Sequence, residues 1–291
     1  MCRSFTDFWL NLALVTEPTI PIVKRPDTTS EKPVVVSIPH YGTEPIPEMG
    51  PDDYSEPDFV HLPWGYADTF SADVYGDADA YGAFVVATPY SRLFVDVNRR
   101  RDDFSYEDDV VTSTRGVFRT HTRRGKPIFS YDLSQSRAEH ILSNYYDPFH
   151  DALQSTIAQV LESHGRVLLF DMHTASPNRI GDHSVVVGTR SNKTADRATI
   201  DRVVEIIASA GVDVHEDVPG YSGGHIVRRY GEDGEKDVQA IQIEINAGLL
   251  MTTPREELVP RMIRGERPDI DLNTVRQMRD CLEALVKNVW E

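Results

Sequence analysis

A chain of 291 residues, 40% of them apolar, has ample material for one large α/β domain over residues 1–291, and no apolar run approaches the roughly 20 residues that span a bilayer. The formal charge of −16, with 46 acidic residues and no long basic run, argues against a nucleic-acid partner. Two cysteines, Cys2 and Cys281, lie at opposite ends, so a disulfide framework and a thiolate zinc site are both disfavoured.

The apolar patch Phe8 to Val15 is interrupted by Asn11 and has neither a cationic leader nor a small-residue cleavage site. It reads as a packed helix within an irregular lead-in over residues 1–32, and the protein as soluble and cytoplasmic, with no membrane partner. Pro33 to Pro39 is a short β-branched strand followed at once by His40 and Gly42. Five prolines make Thr43 to Pro63 a surface loop, and Trp64 to Ala80 carries Asp68, Asp73 and Tyr75 on a short helix. Two strands are expected at Ala83–Thr88 and Leu93–Val97, the second running into Asn98 and Arg99. Arg100 and Arg101 follow, so a solvated basic cluster is the alternative to a site role there.

From Asp102 to Tyr131 periodicity is lost, which predicts an excursion covering a site at 102–131. Helical spacing returns over Gln135–His164, with Gly165 as its stop and Pro148 as a kink or break. Val167 to Phe170 then runs straight into Asp171 and His173, the pattern of a buried parallel strand delivering polar residues to its carboxyl end. Strands at Ser184–Gly188 and Val238–Ile245 and helices at Thr194–Gly211 and Asp271–Trp290 complete an α/β pattern. In the later strand Ile241, Ile243 and Ile245 alternate with Gln242, Glu244 and Asn246; a carboxylate on an inner strand needs a partner, whereas on an edge strand it faces water. The turn Pro219–His225 contains Tyr221 and Gly224 and can approach a ligand closely.

His40, His173 and at least one carboxylate, delivered from separate strand ends, suit a zinc site of nitrogen and oxygen ligands with an open fourth position. Glu244 is the candidate general base. An anionic small substrate would depend on a few local arginines acting against the field of the whole chain.

Together, Pro39-His40-x-Gly42, Asp68…Tyr75, Ser91-Arg92…Asp96-Val97-Asn98-Arg99, Tyr145 to His150, Asp171-Met172-His173-Thr174, Gly223-Gly224 and Gln242 to Asn246 occur in the order seen in N-formylglutamate amidohydrolases. The chain resembles that family from about Val34 to Met251. The resemblance implies a fold like that of the zinc carboxypeptidases and related phosphorylase/hydrolase-like proteins: a mixed, mostly parallel central sheet flanked by helices on both faces, with one zinc at its strand ends. It further implies that His40 and His173 bind Zn2+, that Glu244 is the general base or acid, that Arg92 polarises the amide oxygen, and that Asn98 and Arg99 hold a substrate carboxylate, with Tyr221 and Gly224 lining the site. For the third ligand, Asp68 is favoured over Glu44. Tyr41 stands where the family usually has a small residue, which puts pocket shape and substrate size at issue.

The activity so implied is zinc-dependent hydrolysis of the amide bond of an N-acylated amino acid, N-formyl-L-glutamate foremost, to formate and L-glutamate. Another acyl-amino-acid deacylase or carboxypeptidase-like hydrolase is the alternative, followed by a non-catalytic amino-acid-binding homologue. Nothing in the sequence fixes oligomeric state, and a homo-oligomer is compatible with it.

Overall fold

The computed structural model describes residues 21–291, so the helix expected over Phe8–Val15 lies outside the described residues. Among them, strands β1 (Ile22–Lys24), β2 (Val34–Ile38), β3 (Phe84–Ala87), β6 (Val167–Ala175), β7 (Val185–Gly188), β8 (Val214–Glu216) and β9 (Val238–Asn246) form one sheet in the order β1-β3-β2-β6-β9-β7-β8. β4 (Tyr106–Glu107) and β5 (Val110–Val111) make a separate small hairpin. β3, β2, β6 and β9 run parallel to their neighbours, while β1 and β7 are antiparallel to β3 and β9. The sheet is therefore mixed and mostly parallel, as expected. β1 adds an edge strand inside the stretch expected to be irregular.

Near-continuous apolar runs make these central strands, because helices bury both faces of the sheet. Val34, Val36, Leu168, Phe170, Ile241 and Ile243 pack on one face against the helices Ser71–Tyr75, Arg197–Ser209 and Leu272–Asn288. Val35, Val167, Leu169, Val238 and Ala240 pack on the other, against the helix Asp147–His164 and its neighbours. Each large side chain so buried stabilises the fold by about 2 kcal/mol. Helix ends follow local chemistry: Asp196 and Asp271 cap N-termini by accepting from the backbone of Thr199 and Thr274, and Gly165, at φ 71°, closes the helix before β6.

Three expectations change. Leu93–Val97 is buried but forms turns, not a strand: Phe94 N–H donates to Ser91 and Asp96 N–H to Val117, so its backbone bonds are satisfied locally and by the excursion. Trp64–Ala80 is broken into short helices at Leu62–Tyr66 and Ser71–Tyr75 with Asp68 in the loop between them. Pro148 does not break the helix. It sits at the start of Asp147–His164, and a π-turn at Leu142–Tyr146 carries the preceding helix Gln135–Ile141 into it, Asp147 N–H reaching back to the Leu142 carbonyl.

Candidate metal centre and catalytic cleft

On the face where Val167 and Leu169 pack, β6 continues with Asp171 and His173, and β9 continues from Val238 and Ala240 to Gln242 and Glu244. The register pairs Asp171 with Gln242 and His173 with Glu244. Period two thus turns one apolar sheet face into a polar patch at the carboxyl ends of the two central strands. β9 lies between β6 and β7, so Glu244 is on an inner strand. β2 delivers His40 alongside, and Asp68 is drawn in by its N–H bond to the His40 carbonyl (2.8 Å).

His40 Nδ1 and His173 Nδ1 are 3.2 Å apart, and Asp68 Oδ2 lies 2.8 Å from His173 Nδ1 and 3.7 Å from His40 Nδ1. A tetrahedral ion with arms of roughly 2.1 Å has ligand-to-ligand edges of roughly 3.4 Å, and the three distances bracket that value. The far nitrogens are tied to buried carboxylates: His40 Nε2 to Asp96 Oδ1 at 2.7 Å and His173 Nε2 to Asp171 Oδ2 at 3.0 Å. An ionised carboxylate only accepts, so each Nε2 donates, and in the neutral imidazole that a metal would bind, Nδ1 is left with its lone pair facing inward. Two imidazole nitrogens and a carboxylate oxygen converging in one place could hold a cation, and neutral imidazoles with one carboxylate are a donor set that zinc takes. Among the described residues this is the group of three able to hold a metal; Glu44, half-buried with its backbone tied to Pro89 and Ser91, is not in it.

Burial alone would raise the Asp68 pKa, but hydrogen bonds from His173 and His40 outweigh it and hold the carboxyl below its usual range. Burial likewise opposes an imidazolium at His173, yet Asp171, Glu244 and Asp68 raise its pKa well above the ordinary value in the metal-free protein. Glu244 goes the other way, its carboxyl pushed up to about 7, chiefly by burial. Gln242 Nε2 donates to Glu244 Oε1 (2.8 Å), and Gly224 N–H donates to Gln242 Oε1 (2.6 Å). A Cβ at Gly224 would sit 2.8 Å from the Asn98 amide, so the turn's close approach to Asn98 requires glycine.

Asn98 uses both ends of its amide within the protein, Nδ2 on Asp171 Oδ2 (2.8 Å) and Oδ1 accepting from Ile226 N–H (2.8 Å). Arg99 is open, its side chain 44% exposed and its nearest acid, Asp96, 3.9 Å away. Its neighbours Arg100 and Arg101 pair outward with Asp102, Glu139 and Asp147, so the basic run divides between cleft and surface. Arg92 grips Asp96 Oδ2 through Nε (3.1 Å) and Nη2 (2.7 Å), leaving Nη1 3.7 Å from Asp68. Tyr221 packs on Ala175, Ile180 and Val186, close enough to Glu244 for that carboxylate to raise its pKa after burial has done so. Tyr41, half-buried, packs against the core cluster on the face opposite the one that carries Val35 and Leu169.

Several partners were not assigned a role from sequence. Asp96, fully buried, accepts from His40, Arg92, Arg119 Nη2 (2.8 Å) and the Asn98 N–H (3.1 Å); burial is outweighed and its carboxyl stays well below the usual range. Its signal was an acid inside an apolar run, which needs a partner. For Asp171 the signal was Asp-x-His on one strand, two side chains on one face. His150 is a satisfied core histidine, bonded to the Val97 carbonyl (2.9 Å) and the Tyr230 hydroxyl (3.0 Å), and it braces the Asp96–Asn98 turn from behind.

Comparison with known proteins agrees with this architecture. The chain belongs to the N-formylglutamate amidohydrolase family, whose model matches residues 32–251. It is 26% identical over 266 residues to an N-formylglutamate deformylase of Pseudomonas aeruginosa, covering 87% of this chain and 93% of that protein. It is 28% identical over 263 residues to the enzyme of the same description from Pseudomonas putida, covering 87% and 92%. In structure it resembles an N-formylglutamate amidohydrolase from Ralstonia eutropha, with a TM-score of 0.75 and 20% identity over 93% of this chain and 99% of that one. No helix of the described residues is long and apolar enough to cross a membrane.

Proposed function

We propose that this chain hydrolyses N-formyl-L-glutamate to formate and L-glutamate, using a zinc ion held by His40, Asp68 and His173. The convergence of two Nδ1 lone pairs and one Asp68 oxygen, with both far nitrogens fixed by buried acids, carries the reading. When bound, zinc supplies Lewis acidity: it polarises an acyl oxygen and lowers the pKa of water to roughly 7.

Glu244 shares a sheet face with His173 and is buried enough to hold its proton near neutrality. It takes a proton from the attacking water as the oxygen bonds to the formyl carbon, and returns it to the amine nitrogen as the carbon–nitrogen bond breaks. Arg92 is anchored on Asp96 through two nitrogens and turns Nη1 toward Asp68, where it can stabilise the oxyanion. Arg99 takes the α-carboxylate. Asn98 keeps one Nδ2–H on Asp171 and its Oδ1 on Ile226, which leaves the second Nδ2–H to join Arg99 on that carboxylate.

The test is formate and glutamate release from N-formyl-L-glutamate by purified, zinc-loaded protein. Turnover abolished by a chelator and restored by zinc supports the reading. Absence of turnover on formylglutamate together with turnover of another acyl-amino acid moves the chain to the alternative deacylase reading.

A further inference from the structure

Asp68 lies in no regular element, yet the backbone on either side of it is held. Its N–H bonds the His40 carbonyl, and Ser71 closes a four-residue turn behind it, the Ser71 N–H (3.2 Å) and hydroxyl (2.8 Å) both donating to the Asp68 carbonyl. Within the turn, the hydroxyl of Thr174, one residue beyond His173 on β6, donates to the Thr69 carbonyl (2.7 Å). The helix Ser71–Tyr75 that starts here ends with the Tyr75 hydroxyl on the His173 carbonyl (2.9 Å). One short helix is thus tied to both Asp68 and His173.

The third position of that turn is Phe70, at φ 64° and ψ 9°. Positive φ with ψ near 0° at that position is what a type II turn demands, and glycine normally supplies it. In an L-residue the Cβ crowds the following carbonyl, so a bulky side chain is an outlier there. Among the described residues, the other positive φ values outside glycine fall on Asp, Asn, Ser and Arg. Such a conformation persists only where its surroundings hold it. Packing holds it from within: Phe70 is 4% exposed and belongs to the core cluster that includes Val74 and Tyr75. On its other side the Arg267 guanidinium lies 4.9 Å from the ring centroid and pairs with Asp73, in the first turn of the same helix.

We propose that Phe70 is a positioning residue for Asp68, its ring buried beneath Arg267 so as to hold the left-handed turn that aims the Asp68 carboxylate at His173. This rests on reading His40, Asp68 and His173 as the zinc ligands. Without the ring, a residue that carries a Cβ relaxes to negative φ, the turn opens, and zinc binding has to close it again. Glycine loses the same ring but has no such preference, so the turn stays accessible.

The test measures the zinc affinity of the full chain by chelator competition in the wild type, Phe70→Ala and Phe70→Gly. Both variants lose the ring, and only alanine retains the strain. Phe70→Gly is predicted to bind zinc roughly five- to thirtyfold more tightly than Phe70→Ala. A role in packing alone would weaken both alike. Equal affinities in the two variants, or wild-type affinity in Phe70→Ala, overturn the positioning role and leave the metal centre standing. Should neither Phe70 variant fold, Arg267→Gln and Arg267→Lys decide. Binding weakened roughly two- to fivefold in the first and restored in the second, which keeps a cation over the ring, supports the role; equal affinities in those two overturn it. A wild-type chain that binds no zinc removes the metal centre and the positioning role with it.

Discussion

His173 and Asp171 stand two residues apart on β6, on the same sheet face, with Nε2 and Oδ2 3.0 Å apart. That contact fixes which nitrogen of His173 carries the proton and which faces Asp68. Asp171→Asn keeps the shape but replaces a strong acceptor by an amide that can present either end. It is predicted to weaken zinc affinity by roughly 10- to 100-fold, measured by chelator competition. Affinity equal to wild type would show that His173 needs no such anchor.

Glu244→Gln preserves the acceptor for Gln242 while removing the proton-transfer group. Turnover of formylglutamate should fall by roughly a hundredfold or more with zinc content unchanged. A variant retaining wild-type kcat would reassign the base.

His150 provides the pH signature of the fold. Its pKa is lowered to about 3, first by burial and then by Arg229 and His225. The unfolded chain binds this proton below about pH 6.5 and the folded chain does not, so stability is lost as pH falls from that value toward the folded pKa. Between about pH 7 and about pH 5 the contribution is roughly 2 kcal/mol. Urea unfolding of His150→Gln should show a shallower loss over this range; parallel curves would contradict it.

Gly224 is at negative φ, so Gly224→Ala tests contact alone. The added Cβ presses on Asn98, and displacing that amide from Asp171 and Ile226 is predicted to cost about 1–3 kcal/mol and to lower activity through the Asp171–His173 contact. An unaffected melting temperature and rate would show that the turn yields freely.

The strand ends were legible because apolar runs halting at His40 and His173, or alternating with Glu244, are direct consequences of one buried sheet face becoming a cleft. Asp68 was not, since it lies in a loop between two short helices, where no period places a side chain; only the family resemblance indicated it. Leu93–Val97 misled because burial demands apolar residues in a turn as much as in a strand. Pro148 was read as a kink or break, but a proline at the start of a helix loses nothing when a π-turn reroutes the carbonyls before it. Arg119 reaches Asp96 from an aperiodic excursion, which leaves no mark in local sequence.

Elemental analysis of metal in the purified wild-type protein beside His173→Ala tests the centre most directly. The geometry predicts about one zinc per chain in the wild type and its loss from the variant, because removing one ligand leaves only His40 and Asp68. A zinc-supplemented wild-type protein that binds no divalent ion, or a variant that retains it in full, would contradict the assignment of His40, Asp68 and His173 as the metal ligands.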